Sequence, residues 1–407
     1  MTPSQIRKHF AWFDNHSDLI YFDNGATSLK PKSVLKAIND YYQNDTYNPH
    51  NDTTSYTSHV GKKIKEIRQM TADLLSCKAN EIIFTPGSTQ GLNQVAFGII
   101  PLLQPGDEIL VPEYEHASNL LPWLRVAKIT NTKFISVKQG EHLEFEQQIL
   151  KAVSKKTRVV SFTSASNLFG TAIDAMELAR KIKVKNPKCF VCVDATQSVQ
   201  HNKINLKKGY IDFLAFSTHK VFGPTGLGVV YLKENIQSKM NPLIYGGGTY
   251  RSFDVNTGEI DLVEGPTGFE AGTPNVAGIF GWGAAVEFIN SISYREIHRI
   301  ENELKNYLVK KLRTIKGINL LDAQVENPTV VFNYKNVSPQ DLAYYLGTKK
   351  IIVRGGTSCV YLARKRSESP QGYVRVSMMF YNTKKEVDKL VKALREFKVG
   401  DSLVGLI

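Results

Sequence analysis

CFVCVDATQ at residues 189–197 and FLAFSTHK at residues 213–220 are two consecutive apolar runs, and each of them ends in polar residues. Continuous rather than alternating apolar residues are typical of strands that are covered on both faces of a parallel sheet. Helical patterns such as Thr89–Ile99 and Met176–Val184 lie between runs of this kind, which predicts an α/β fold with a mostly parallel sheet. The predicted strands are Glu81–Phe84, Glu108–Val111, Arg158–Phe162, Phe190–Val193, Phe213–Phe216 and Gly228–Leu232.

The sequence pattern changes after about Ala284. Tyr294–Leu312 predicts a long, charged amphipathic helix, and a further set of short strands and a terminal helix follows it. These are strands near Thr329–Phe332, Ile351–Arg354 and Tyr373–Met378, and a helix near Lys384–Phe397. We therefore predict a large α/β domain at residues 17–284 and a smaller α+β domain formed by residues 1–16 and 285–407.

The composition indicates a folded protein of two or three domains. The chain has 407 residues, of which 42% are hydrophobic and 22% charged, and this excludes a disordered protein. Lysine and arginine number 51 against 38 acidic residues, which gives a net charge of +13. An excess of this size attracts nucleic acid, anionic lipid or small phosphorylated and carboxylated molecules, so charge alone does not choose among them.

The cysteine count and the hydropathy pattern predict a soluble, cytoplasmic protein. Four cysteines are too few for a disulfide framework in a chain of this length, so any cysteine with a function is expected to work as a thiol. The first residues, MTPSQIRKHF, carry no apolar stretch of the signal-peptide type. The longest nearly apolar run, Val95–Leu103, is far shorter than the ~20 residues of a membrane span.

The residues that directly follow the predicted strands are chemically unusual. Ligands of open parallel sheets bind beyond the carboxyl ends of the strands, so these residues are expected to face one crevice. They supply a hydroxyl-rich loop, an aromatic base, an amide, a carboxylate and an amine. In chain order they are Gly87-Ser88-Thr89, His116, Asn167, Asp194 with Gln197, and Ser217 with His219 and Lys220.

Gly87-Ser88-Thr89 is a candidate phosphate-binding loop. A glycine and two hydroxyl residues at a helix start offer free N–H groups, hydroxyl donors and the positive end of the helix dipole. Taken alone, the stretch is better interpreted as an ordinary helix cap by Ser88 or Thr89. It lacks the GKS or GKT ending of a nucleotide P-loop, and GPTGLG at residues 223–228 lacks the spacing of a dinucleotide fingerprint.

Asp194 and Lys220 are expected to lie close together, because they follow neighbouring strands. A buried carboxylate at this edge needs a cation or a donor. One interpretation is a structural ion pair. The other is a lysine that forms a Schiff base with an aldehyde cofactor and a carboxylate that keeps the pyridine nitrogen protonated, as pyridoxal 5′-phosphate (PLP) requires. Gly87–Thr89 would then hold the phosphate, Gln197 the ring oxygen, and His116 would lie against the ring.

Several motifs together resemble the class V aminotransferase family and, within it, the cysteine desulfurases of the sulfur-mobilisation type (group II). They are YFDNGAT at 21–27, EH at 115–116, DATQ at 194–197, STHKVFGPTG at 217–226, FEAGTPN at 269–275, RGGTSC at 354–359 and VR at 374–375. The resemblance implies the PLP-dependent transferase fold type I, which is aspartate-aminotransferase-like. It also implies a homodimer whose active sites lie at the subunit interface.

The resemblance also implies a role for each site residue. Lys220 would carry PLP, Asp194 and Gln197 would contact its pyridine nitrogen and O3′, and His116 would stack on the ring. Arg375 would bind the substrate carboxylate with help from Asn167, since a guanidinium matches a carboxylate with two parallel bonds. The remaining cofactor-binding residues are Ser88, Thr89, Ser217 and His219, with Thr273 reaching across from the neighbouring subunit.

Cys359 decides between sulfur chemistry and simple amino-group transfer. It lies in a polar loop after Arg354, whose positive charge favours the nucleophilic thiolate. We also count Arg354 among the substrate-binding residues. The alternative is a buried small hydrophobic residue. The resemblance implies that the Cys359 thiolate attacks the sulfur of L-cysteine. Alanine is then released, and the persulfide left on Cys359 supplies an acceptor protein for iron–sulfur cluster assembly or thiolation.

The chain departs from the usual pattern of these relatives in two places. Thr357-Ser358 stands where they usually carry a His-His pair, and Asn51 stands where they usually carry an arginine. A selenocysteine lyase or another class V aminotransferase is therefore an alternative, since it would keep Lys220 and Asp194 without needing a persulfide.

A basic nucleic-acid binder is a second alternative, suggested by the net charge and by Arg364-Lys365-Arg366. That run has no interleaved aromatic residues, so we predict neither a nucleic-acid nor a membrane partner. We also predict no metal site. Cys189 and Cys192 have CxxC spacing, but residues three apart on a strand face opposite sides of the sheet.

Overall fold

The computed structural model describes residues 2–50, 53–138, 145–321, 327–365 and 369–398, and its centre is a seven-stranded sheet. The strands lie in the order Ile82–Thr85, Gly228–Leu232, Phe213–Ser217, Phe190–Asp194, Thr157–Thr163, Glu108–Pro112 and Lys133–Val137. The last five pair in parallel, whereas Gly228–Leu232 pairs antiparallel with both of its neighbours. The predicted α/β fold with a mostly parallel sheet is confirmed, and all six predicted strands are present within one residue of their bounds.

Both faces of this sheet are covered, which explains why its strands are continuously apolar. Val191 and Val193 belong to one hydrophobic core, whereas Cys192 between them belongs to the core on the opposite face. Cys189 belongs to the same core as Val191, so it and Cys192 lie on different faces, as predicted for a CxxC spacing on a strand. The edge strand Lys133–Val137 was not predicted, because several of its side chains are exposed and its pattern is mixed.

Helices form the layers on either side of the sheet. Ser88–Gly98 and Ala117–Thr130 supply Leu92, Val95 and Trp123 to the core that contains Cys192. The helices of the described residues are Pro3–Arg7, Ala11–Asn15, Lys32–Asn44, Ser55–Leu75, Ser88–Gly98, Ala117–Thr130, Phe145–Ala152, Ala175–Lys185, Glu234–Gln237, Val276–Ile292, Tyr294–Leu312, Pro339–Thr348 and Lys384–Glu396. Two of them begin within five residues of the end of a sheet strand, and their starts carry the candidate site residues Ser88, Thr89 and His116.

A second, antiparallel sheet of four strands lies in the C-terminal part of the chain. Its order is Ile318–Leu320, Thr329–Tyr334, Tyr373–Ser377 and Arg354–Gly356. The prediction of one strand at Ile351–Arg354 is wrong. Ile351–Ile352 pairs in parallel with Ile20–Tyr21, and only Arg354–Gly356 joins the four-stranded sheet. The chain changes partner at Val353, and Gly355 then packs so closely on Pro339 that a Cβ would lie 2.3 Å from its carbonyl oxygen.

The predicted domain boundary after residue 284 falls within the continuous helix Val276–Ile292, so the division into domains stays a prediction. Tyr250–Phe253 and Ile260–Leu262 form a separate antiparallel pair.

None of the described helices alone combines the length and the hydropathy of a membrane span. Val276–Ile292 and Tyr294–Leu312 meet both criteria only when they are taken together, and they are bent by 75° at their junction.

Candidate active site

Asp194 and Lys220 lie at the carboxyl edge of the central sheet. Asp194 is the last residue of its strand, is 5% exposed, and accepts a hydrogen bond from the Thr196 N–H at 3.0 Å. Lys220 ends the single 3₁₀ turn Thr218–Lys220 that follows the neighbouring strand. Burial lowers the pKa of Lys220 to about 8, although the charge of Asp194 opposes this change. A larger fraction of this amine is therefore neutral near neutral pH than in an ordinary lysine, and the neutral form is the nucleophile.

Other charged groups of the candidate site also act on Lys220. Arg375 and Arg354 lower its pKa, and Cys359 raises it. Asp194, Lys220 and Arg375 all influence the pKa of His116, which burial lowers below its usual value. Hydrogen bonds show that residues from distant parts of the chain meet here, since Asn167 contacts both Arg375 and Ser358, and the Ala117 N–H next to His116 donates to the Cys359 carbonyl.

The predicted phosphate loop, Gly87–Thr89, contacts Ser217, which is the last residue of the strand that precedes Lys220. The Ser88 N–H donates to Ser217 Oγ at 2.8 Å, and that hydroxyl in turn donates to Ser88 Oγ at 2.8 Å. Thr89 Oγ1 lies 2.8 Å from Ser118 Oγ. Burial and the charges of Lys220 and Lys30 lower the pKa of His219 to about 4. Hydroxyls, a helix N-terminus and a neutral imidazole therefore occur together, and such groups bind a phosphate.

His116 is the N-cap of the helix Ala117–Thr130. Its Nδ1 accepts a hydrogen bond from the Ser118 N–H at 3.1 Å, so the proton of the neutral ring is on Nε2. Glu115 before it is 1% exposed and accepts hydrogen bonds from Asn119 Nδ2 at 2.8 Å and from the Thr163 N–H at 2.7 Å. These bonds fix the start of the helix and with it the orientation of the His116 ring.

Two arginines share one carboxylate in the candidate substrate site. Arg354 and Arg375 are directly opposite each other on neighbouring antiparallel strands, an arrangement that repels without a counterion. Asp23 lies between them, with Oδ1 2.6 Å from Arg375 Nη2 and Oδ2 2.9 Å from Arg354 Nη2. Sequence reasoning missed Asp23, although it lies within the YFDNGAT motif, because its partners are more than 300 residues away along the chain.

Arg375 is suited to bind a carboxylate. Its side chain is 2% exposed, and its Nη1 donates to the Asn167 carbonyl at 2.7 Å. Its Nε is a buried donor without a partner among the described residues. A buried, unpaired donor is costly unless a ligand supplies an acceptor. Gly25 leaves the necessary room, because a Cβ there would lie 3.1 Å from Arg375 Cζ.

Cys359 is exposed on a loop held next to this site. The Asn167 side-chain amide donates to the Ser358 carbonyl at 2.6 Å, and the Ala117 N–H donates to the Cys359 carbonyl at 3.1 Å. Ser358 and Cys359 have φ values of 48° and 63°, a left-handed conformation that costs about 1–2 kcal/mol per residue. The alternative of a buried small hydrophobic residue therefore does not hold for Cys359.

Thr273 and Gln197 complete the set of predicted site residues, and two further positions lie outside the described residues. Thr273 is exposed on the segment before the helix Val276–Ile292, and its role across a subunit interface stays a prediction. Gln197 is buried, and its Nε2 donates to the Gly25 carbonyl at 2.8 Å. Asn51 and Arg366 lie outside the described residues. In the part of the chain that the structure describes, no three His, Cys, Asp or Glu side chains are placed to hold a metal ion.

The residues present fit PLP. Burial lowers the pKa of the Lys220 amine, which favours its nucleophilic neutral form, and the carboxylate of Asp194 is buried at the same sheet edge. Ser88, Ser217 and the N-terminus of the helix Ser88–Gly98 form a cradle of donors for the phosphate. A group with an aldehyde, a basic ring nitrogen and a phosphate matches these three features.

The cradle depends on a glycine in a neighbouring strand, which makes its geometry testable. A Cβ on residue 228 would lie 2.6 Å from both Cα and the carbonyl carbon of Gly87, a backbone contact that cannot be relieved by a side-chain rotation. We expect Gly228→Ala to displace the phosphate loop and weaken PLP binding about tenfold or more. Titration of the coenzyme-free protein with PLP, followed by absorbance, measures this. Gly347→Ala is the control, since nothing lies within 4 Å of its added Cβ, and equal affinities of the two variants would contradict the prediction.

Comparison with known proteins identifies the family. A family model described as "Aminotransferase class-V" matches residues 20–390, so the chain belongs to the class V aminotransferases, which are PLP-dependent enzymes. This confirms the family, the enzyme class and the cofactor that the motifs predicted.

Similar proteins point to one group within that family. A Ureaplasma parvum protein named "Probable cysteine desulfurase" is 41% identical over 99% of this chain and 100% of its own length. The structure of a cysteine desulfurase from Thermococcus onnurineus NA1 superposes with a TM-score of 0.89, at 32% identity over 97% of this chain and 98% of that one. A cysteine desulfurase structure from Escherichia coli gives a TM-score of 0.88 at 29% identity over 99% of both chains. The predicted group, the cysteine desulfurases, is thereby confirmed.

Proposed function

We propose that this chain is a PLP-dependent cysteine desulfurase that converts L-cysteine to L-alanine and holds the sulfur as a persulfide on Cys359. The observation that carries the proposal is the position of Cys359. It is the exposed cysteine of the described residues, and its loop is pinned to Asn167, which also contacts Arg375, and to Ala117, which follows His116. Neither a selenocysteine lyase nor a simple aminotransferase requires a thiol at this place.

PLP, when bound, supplies an electron sink that stabilises negative charge on the substrate carbon next to the amino group. Lys220 would hold it and, when its amine is free, move a proton at the substrate Cα. A pKa of about 8 suits that role, because general acid–base catalysis is most efficient when the pKa is near the working pH. Asp194 would contact the ring nitrogen, while Ser88, Thr89, Ser217 and His219 would bind the phosphate.

Arg375 would orient the substrate. Asp23 and the Asn167 carbonyl accept from the two terminal nitrogens of its guanidinium, and the buried Nε is a donor that a substrate carboxylate would meet. With the carboxylate fixed there, the substrate sulfur can be presented to Cys359. The Cys359 thiolate would then form a bond to that sulfur while the carbon–sulfur bond breaks, and the electrons of the broken bond end, with a proton, on the carbon that becomes the methyl group of alanine.

The finer parts of the proposal concern partners and location. The family resemblance supports a homodimer in which Thr273 reaches the neighbouring phosphate site, and it supports the group II type. The persulfide would pass to a protein acceptor that serves iron–sulfur cluster assembly or thiolation in the cytoplasm. The exposure of Cys359 supports transfer to another protein, because a buried persulfide could not be reached.

Mass spectrometry of the protein after treatment with L-cysteine tests the proposed function. We expect stoichiometric alanine and one additional sulfur atom on the peptide that contains Cys359. Selenocysteine offered at equal concentration serves as the comparison. Turnover of selenocysteine with no alanine formed from cysteine would favour the lyase alternative and overturn the proposal.

A further inference from the structure

Lys30 is a partly buried amine near Lys220 that the proposed mechanism does not use. Its Nζ donates to the carbonyl oxygen of His219 at 2.7 Å, to the carbonyl oxygen of Ser28, and to Thr27 Oγ1 at 3.3 Å. Three donors thus meet three acceptors of the same small region. Burial lowers the pKa of Lys30 to about 7, and within the described residues no carboxylate pairs with it. A buried amine that forms no ion pair requires another explanation.

The segment Thr27–Lys30, which we call the clamp, holds the residue that precedes Lys220. The His219 carbonyl accepts hydrogen bonds from the Ser28 N–H at 3.0 Å and from Thr27 Oγ1 at 3.1 Å, in addition to the bond from Lys30. Thr27 Oγ1 also lies 3.2 Å from His219 Nδ1. Donors from one segment therefore converge on the His219 carbonyl, and the same segment also contacts the His219 ring.

The clamp also holds the chain on the other side of Lys220. The N–H of Phe222 donates to Ser28 Oγ at 2.8 Å. Phe222 has a φ of 65° and is fully buried, and such a conformation is a strained one for a bulky side chain. A strained residue persists only when its surroundings fix it, and Ser28 supplies one of the bonds that do so.

We propose that Lys30 is a positioning residue, which fixes the backbone around Lys220 through the clamp and so aims the Lys220 amine at PLP. This inference rests on the proposed attachment of PLP to Lys220. Lys30 itself contacts the His219 carbonyl and the other members of the clamp, Thr27 and Ser28, so it acts through these groups and not on the substrate. Loss of its hydrogen bonds would let residues 219–222 relax away from the strained conformation.

Hydrogen exchange of the PLP-bound protein tests this inference directly. In Lys30→Met we expect the Phe222 amide to exchange about tenfold faster than in the unchanged protein, since the clamp loses the hydrogen bonds of the Lys30 amine. We also expect PLP to dissociate about tenfold faster and kcat to fall while KM for L-cysteine stays the same, because Arg375 is untouched. Lys32→Met is the matched control, as Lys32 is exposed and pairs with Asp14.

Two outcomes would overturn the inference. One is equal exchange of the Phe222 amide in both variants, and the other is a rise in KM with unchanged kcat. Lys30→Arg keeps a donor at this position and gives a second measurement if Lys30→Met does not fold, with a smaller acceleration expected at Phe222. Ser28→Ala removes the acceptor of the Phe222 N–H itself and shows the largest acceleration that loss of the clamp can cause. The exchange rates do not depend on turnover, so a protein that proves inactive with L-cysteine contradicts the proposed function and leaves the test of the clamp intact.

Discussion

Lys220→Ala is expected to lower kcat with L-cysteine by about 10³-fold or more. The substitution removes the amine expected to bond PLP, and with it the group that would move the proton at the substrate Cα. Loss of a general acid–base group typically costs 10²–10⁴-fold, and loss of cofactor attachment adds to that. The measurement is alanine formation under saturating L-cysteine and PLP.

A control variant and a labelling experiment show whether this result is specific to Lys220. Lys239→Ala changes an exposed lysine and should keep the activity of the unchanged protein. Borohydride should fix PLP covalently to the unchanged protein and not to Lys220→Ala, since an amine can be reduced onto the cofactor only where it has bonded to it. A Lys220→Ala protein that is still labelled at the active site, or that still turns over at the original rate, would contradict the assignment of Lys220.

Sequence patterns predicted the parts of the fold that depend on local composition. The strand predicted at Phe190–Val193, observed as Phe190–Asp194, could be predicted because it is continuously apolar, and this property follows from burial between two helical layers. Lys133–Val137 was not predicted, since an exposed edge strand carries no such pattern. The break at Val353 was not predicted either, because it depends on pairing with Ile20–Tyr21, more than 300 residues earlier in the chain.

The candidate site likewise contains residues that strand order predicts and residues that only long-range packing brings together. Asp194 and Lys220 could be predicted because they follow neighbouring strands, where topology alone brings residues together. Asp23 and Lys30 could not, since their partners are Arg375 and the His219 carbonyl, which become neighbours only when the N-terminal segment packs against the folded site. Charged residues that are buried by long-range packing leave no periodic signal in the sequence.

Cys359→Ser is the second substitution with a large expected effect. We expect sulfur release from L-cysteine to fall by about 10³-fold or more, because a serine hydroxyl stays protonated near neutral pH and cannot accept sulfur as a thiolate does. The backbone should be undisturbed, since Ser358 already has the same left-handed conformation. Alanine and sulfide are measured together, and PLP absorbance shows that the cofactor site is intact.

Cys77→Ser separates this effect from a general loss of thiols. Burial raises the pKa of Cys77 to about 12, so this thiol is protonated and unreactive, and its substitution should leave turnover unchanged. Selenocysteine adds a further comparison, because its selenium leaves carbon more readily than sulfur and depends less on attack by a thiolate. If Cys359→Ser lost activity with both substrates equally, a role in substrate binding would replace the role of persulfide carrier. Selective loss with L-cysteine is the result that a sulfur-accepting thiolate requires.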